Sequence, residues 1–212
     1  MLKNLFVIIV SCALIGCSAT MGPSGDQTRP GVIVLPTSGG VHHENSYASQ
    51  LSRKGFQVVV ADYHQRGGTD NITLAYDALR KDPRVGKIGM VGFSRGAVMG
   101  ANHAYFLHQN SDRKIDAIVS LYIGPTTPHG NTSILPILFL QGELDNYVKP
   151  NQLIQFCNAL DASGKRCKVK EFKNVGHAFD QTRTLPIYSG FNSQATEESY
   201  DLTIQWLNQW LK

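Results

Sequence analysis

The 212-residue chain has no block of lysine or arginine, no acidic tail, no internal repeat and no apolar run long enough to cross a bilayer. Each absence narrows the reading. Lys and Arg number 20 against 16 Asp and Glu, for a formal charge of +4. The two signs are interspersed, so the chain lacks the basic stripe expected of a nucleic-acid partner and the charge blocks expected of disorder. The most apolar segment, Leu5 to Ile15, falls short of the about 20 residues that a spanning helix needs. Cysteine is scarce, at four. What remains is a chain of one-domain length with a hydrophobic share of 42%, enough for a sizeable buried core.

The N-terminus MLKNLFVIIVSCALIGC has one Lys, a short apolar segment and then small residues, which is the layout of a signal peptide. Leu14-Ile15-Gly16-Cys17 resembles the lipobox of bacterial lipoproteins. That resemblance implies removal of residues 1–16, a diacylglyceryl thioether on Cys17 and attachment to a membrane surface through the acyl chains. Ser18 after the Cys implies sorting to the outer membrane, with the domain facing the periplasm. Residues 17–30, polar and rich in Gly and Pro, read as a tether between anchor and domain. Cys157 and Cys167 then remain in the mature chain. In an oxidising compartment they can pair, and two buried free thiols are the alternative.

From Gly31 onward, short β-branched runs alternate with helical patterns. The runs are VIVLP (32–36), FQVVVAD (56–62), KIGMVGF (87–93), DAIVSLY (116–122), PILFLQG (136–142) and CKVKEFK (167–173). Helices are expected near 44–54, 71–81, 95–109, 150–162 and 195–211. Continuous apolar strands are buried on both faces, so this alternation predicts an α/β fold over 31–212: a mainly parallel sheet covered by helices on both sides. The connection IGPTTPHGNTSIL (123–135) is too short for a lid domain, so a shallow pocket bordered by loops is expected.

Chemistry concentrates at Gly92-Phe93-Ser94-Arg95-Gly96. Gly-x-Ser-x-Gly alone is a weak signal, because a chain with 20 Gly produces it readily by chance. Here it closes an apolar strand and opens a helix, which is where a nucleophile elbow must sit. A serine hydroxyl attacks at neutral pH only if a base takes its proton. His177, in NVGHAFD just after the last strand, meets that need. His42, His43 and His64 precede the serine, His103 and His108 lie along the next helix, and His129 precedes the acid. For the acid, Asp145 in QGELDNYV follows a strand by a few residues and can reach over the sheet edge. Glu143 competes, but it lies almost on the strand. Asp116 and Asp180 read as structural.

Residues 31–212 resemble an α/β-hydrolase of the dienelactone hydrolase family. The resemblance rests on GFSRG, on SLYIG and PILFLQGELDNYV, on GHAF and on the C-terminal TEESYDLTIQWLNQWL. It implies a Ser94–Asp145–His177 triad, with the backbone N–H of Arg95 and that of Thr37 or Ser38 forming the oxyanion hole. Related hydrolases carry His-Gly-Ser-Gly-Gly where this chain has Pro36-Thr37-Ser38-Gly39-Gly40. Dienelactone hydrolases proper use Cys as nucleophile, so the Ser at 94 leaves the dienelactone uninferred as substrate. Arg95, Arg66, His42, His43 and Tyr122 are candidates for lining a pocket that prefers polar or anionic acyl groups.

The expectation is therefore a serine carboxylic-ester hydrolase acting on a small-molecule ester. It needs no metal or organic cofactor and no nucleic acid. An amidase or peptidase on the same triad, and a non-catalytic envelope lipoprotein that keeps the fold, are the alternatives.

Overall fold

The computed structural model describes residues 20–22, 27–124, 135–161, 166–182 and 190–212. The signal segment, Cys17, His129 and most of the connection expected to be too short for a lid lie outside the described residues. The elements run β1 (Thr20–Met21), β2 (Arg29–Leu35), α1 (His42–Arg53), β3 (Gln57–Val60), α2 (Asp70–Arg80), β4 (Val85–Phe93), α3 (Arg95–Asn110), β5 (Ala117–Leu121), β6 (Ile137–Gly142), α4 (Pro150–Leu160), β7 (Cys167–Phe172) and α5 (Ser193–Leu211).

The apolar runs become one sheet in the order β1-β3-β2-β4-β5-β6-β7. All neighbours are parallel except β1, which pairs antiparallel with β3. Parallel pairing requires crossovers, and the helices between strands supply them. The period of two along each strand then divides the core. Ile33, Leu35, Met90, Ile118 and Phe139 face α2, α3 and α4, burying Leu79, Ala101 and Leu153. Val32, Val34, Val91, Phe93, Val119 and Leu138 face α1 and α5, burying Leu51, Trp206 and Leu207. Both faces are dry, which is why these strands read as unbroken apolar runs and not as alternating ones.

The tether differs from expectation at its two ends. Thr20 and Met21 pair with Val59 and Val58, covering the edge of β3 that would otherwise stay open. Arg29 already belongs to β2 and is buried, its Nη2 donating to Asp82 Oδ2 at 3.1 Å. A charged residue tolerates that position only because it is paired.

Cys157 on α4 and Cys167 at the start of β7 form a disulfide, with Sγ atoms 2.05 Å apart. It ties a helix to an edge strand across a loop of 10 residues in sequence separation. Replacing Cys157 by Ala is expected to lower stability by about 2–3 kcal/mol, through the freedom restored to the unfolded chain. A urea midpoint unchanged by the substitution, or by reductant, would show that the bond contributes nothing.

Candidate active site

Parallel strands end at one edge of the sheet, and the turns that leave β4, β6 and β7 meet there. Ser94 sits between β4 and α3 at φ 52° and ψ −117°, an unusual backbone for a residue with a side chain. Its N–H donates to the carbonyl of Leu121 at 3.0 Å, which holds the turn against the neighbouring strand. The two glycines are required by close approach. A Cβ on Gly92 would lie 2.6 Å from the Ala97 Cα, and one on Gly96 would lie 2.3 Å from the Pro36 oxygen. With no Cβ at either position, helix and strand close tightly enough to lift the Ser94 hydroxyl off the sheet.

The structure brings the three predicted side chains together. Ser94 Oγ is 2.8 Å from His177 Nε2, and His177 Nδ1 is 2.7 Å from Asp145 Oδ2. With a carboxylate at Nδ1, the neutral ring keeps its proton on that nitrogen. Nε2 then has a lone pair free to accept the serine proton. Asp145 is completely buried, and its other oxygen accepts the Tyr147 N–H at 2.8 Å. Glu143 points elsewhere: it accepts from the Asn174 N–H at 2.9 Å and from Lys173 Nζ at 3.1 Å. Those donors, the Asn174 amide first, hold its carboxyl below the usual carboxylate range.

Two tyrosines flank the imidazole edge-on. Tyr147, half-exposed, has its ring centroid 4.6 Å from that of His177, and Tyr122 lies at 5.1 Å. Tyr122 is fully buried and donates through its hydroxyl to Asp180 Oδ1 at 2.7 Å. Burial, and then the neighbouring Asp180, push its phenol well above the usual range. The expected pocket-lining role for Tyr122 is therefore corrected. The residue is a buried strut between the end of β5 and the turn that carries His177, and Asp180 is structural as expected.

A sequence model of the dienelactone hydrolase family matches residues 67–211, the span that carries the elbow, the acid and the histidine. The chain belongs to the dienelactone hydrolase family. It is 28% identical over 127 residues to Protein usf of Aquifex pyrophilus, covering 59% of this chain and 52% of the relative. It is 24% identical over 128 residues, with the same coverage, to a putative carboxymethylenebutenolidase of Aquifex aeolicus. The chain thus spans about half the length of the curated relatives it matches. In fold it is similar to a dienelactone hydrolase-like promiscuous phosphotriesterase from metagenomic libraries. The TM-score there is 0.76 at 19% identity, over 92% of this chain and 93% of the other. It is also similar to esterase 2 of Thermogutta terrifontis phosphorylated by paraoxon, with a TM-score of 0.71 at 16% identity over 96% and 94% of the two chains.

In this dienelactone hydrolase family member the turn after β2 also departs from expectation. The Thr37 N–H is spent on Glu44, whose Oε1 accepts it at 2.9 Å, so Thr37 is withdrawn as an oxyanion donor. Gly39 N–H donates to Thr37 Oγ1 at 3.2 Å and Gly40 N–H to the Thr37 carbonyl at 3.3 Å. Among the described residues, the Ser38 N–H has no hydrogen-bond partner, and the turn that carries it leaves β2 at the end that packs against the elbow. Arg95 opens α3, where the first amides of a helix have no partner within it. Its side chain and that of Arg66 are exposed. His42 and His43 begin α1, with side chains outside the described residues.

No sequence pattern marks Glu44. An acidic residue in the first turn of a helix usually complements the helix dipole from the surface, yet this one is completely buried. His103 and His108, along α3, are structural. His103 Nε2 meets Thr73 Oγ1 at 2.9 Å, with burial holding its pKa below the ordinary value, and His108 contacts the backbone of Ile115.

Proposed function

We propose that the chain is a serine carboxylic-ester hydrolase acting on small or exposed esters. The observation that carries this reading is the continuous Ser94–His177–Asp145 relay at 2.8 and 2.7 Å, seated at the edge where the strands end. In the proposed reaction Ser94 Oγ attacks the ester carbonyl as its proton passes to His177 Nε2. Asp145 holds the ring and stabilises the imidazolium. The oxyanion is met by the amides of Arg95 and Ser38, and by the helix N-terminus behind them. His177 returns the proton to the leaving alcohol, and water then repeats the sequence to free the acid and Ser94. Every step is proton transfer and acyl exchange, so the reaction needs no cofactor.

The proposal extends to location. A chain acylated at Cys17 would sit on the periplasmic face of the outer membrane, and the Cys157–Cys167 pair supports an oxidising compartment.

Labelling with a fluorophosphonate tests the reading. The folded chain is expected to take up one phosphonyl group at Ser94, and the Ser94→Ala variant none. Equal labelling of both, or no labelling of folded wild type, sinks the proposal.

A further inference from the structure

The turn Pro36–Gly40 is held by three side chains, one from α1 and two from the loop after β3, and the holds fall on two adjacent peptide planes. In the first plane, the Pro36 carbonyl accepts from the Tyr63 hydroxyl at 2.8 Å and the Thr37 N–H donates to Glu44 Oε1 at 2.9 Å. In the second, the Thr37 carbonyl accepts from His64 Nε2 at 2.9 Å and from the Gly40 N–H at 3.3 Å. A trans peptide sets its C=O and N–H in opposite directions. Binding the Thr37 oxygen to His64 therefore aims the Ser38 N–H the other way, with the neighbouring plane locked so that it cannot rotate. The turn also lies directly on the elbow, since Gly96 has room for no Cβ beside the Pro36 oxygen.

We infer that Glu44, Tyr63 and His64 are positioning residues that fix the Ser38 amide as the second oxyanion donor. This rests on the proposed role of Ser94. A preorganised donor stabilises a developing oxyanion because it need not reorient when charge appears. The hydrogen bonds on the Thr37 oxygen also polarise the peptide whose N–H does the donating. The cradle explains why a carboxylate is fully buried on α1. Glu44 supplies an acceptor where the chain has a backbone donor inside the fold.

The experiment compares an aryl ester with its thionoester, in which sulfur replaces the carbonyl oxygen and accepts hydrogen bonds poorly, using the full chain and its variants. Glu44→Ala and Tyr63→Phe are expected to lower kcat for the oxygen ester by about 10- to 100-fold, with KM within about threefold. The ester-to-thionoester rate ratio should fall in parallel, which a general loss of structure would not produce. Glu44→Gln keeps an acceptor for Thr37 and is expected to stay within about threefold of wild type. The His64 ring is on the surface, so His64→Ala reads the cradle even where Glu44→Ala fails to fold. Its expected loss in kcat is about fivefold or more, with the same fall in the ratio. Folded variants with unchanged kcat and unchanged ratio overturn this inference alone. A Glu44→Gln variant as impaired as Glu44→Ala also overturns it. A wild-type chain that turns over neither ester and resists the phosphonate overturns the hydrolase reading itself.

Discussion

Replacing His177 by Ala is expected to lower kcat for a short-chain aryl ester by about a millionfold, as loss of the base does in enzymes whose nucleophile and base act as one unit. The size follows from the geometry. Ser94 Oγ has its hydrogen bond to Nε2 at 2.8 Å, and among the described residues no other base contacts it. Without that acceptor, the hydroxyl must lose its proton to water while it attacks. The residual rate would come from the oxyanion donors and from substrate binding, which the substitution leaves in place. The turn carrying residue 177 is held independently, through Tyr122 to Asp180 and through Leu144 N–H to the Val175 carbonyl at 2.8 Å. The variant should therefore fold, and circular dichroism checks that before kinetics are compared. A folded His177→Ala protein that retains a tenth of wild-type kcat removes His177 from the chemistry.

Asp145→Asn is expected to lower kcat by about ten-thousandfold while leaving KM nearly unchanged. The carboxylate oxygen at 2.7 Å can only accept, so it selects the tautomer with the proton on Nδ1. An amide turned to present its NH2 group to Nδ1 selects the opposite tautomer. Nε2 then carries a proton and cannot take one from Ser94. Glu143→Gln provides the contrast within the same loop. That carboxylate is engaged by Asn174 and Lys173, away from the imidazole, and its loss should leave kcat within about threefold of wild type. If the two substitutions exchanged these effects, the acid would be the residue nearer the strand.

The relay is legible in the amino-acid sequence because chain order and strand ends constrain it. Ser94 follows β4, Asp145 follows β6 and His177 follows β7. A parallel sheet brings those three ends to one edge whatever the loops do. The strands themselves are legible because residues such as Val32–Leu35 and Ile137–Leu140 are buried on both faces. Contacts that depend on where a loop lies in space leave no such trace. Glu44 meets the Thr37 amide only because α1 folds back over the turn, and Tyr122 meets Asp180 across 58 residues of chain. Neither pairing produces a periodicity. Tyr122, placed at a strand end, reads as a pocket residue until its burial is known. Thr20–Met21 is illegible for a related reason: two residues can cover a sheet edge without any hydrophobic pattern of their own.

A non-glycine residue at φ 52° and ψ −117° raises the free energy of the folded chain by on the order of 1–3 kcal/mol, most of which glycine at position 94 would remove. Under the proposed role of Ser94, thermal robustness and turnover are thus opposed at a single residue. Variants enriched by heat alone would drift toward chains that survive better and have lost the hydroxyl. Selection for a hardier form of this protein therefore has to be applied to product formed, not to the yield of folded material.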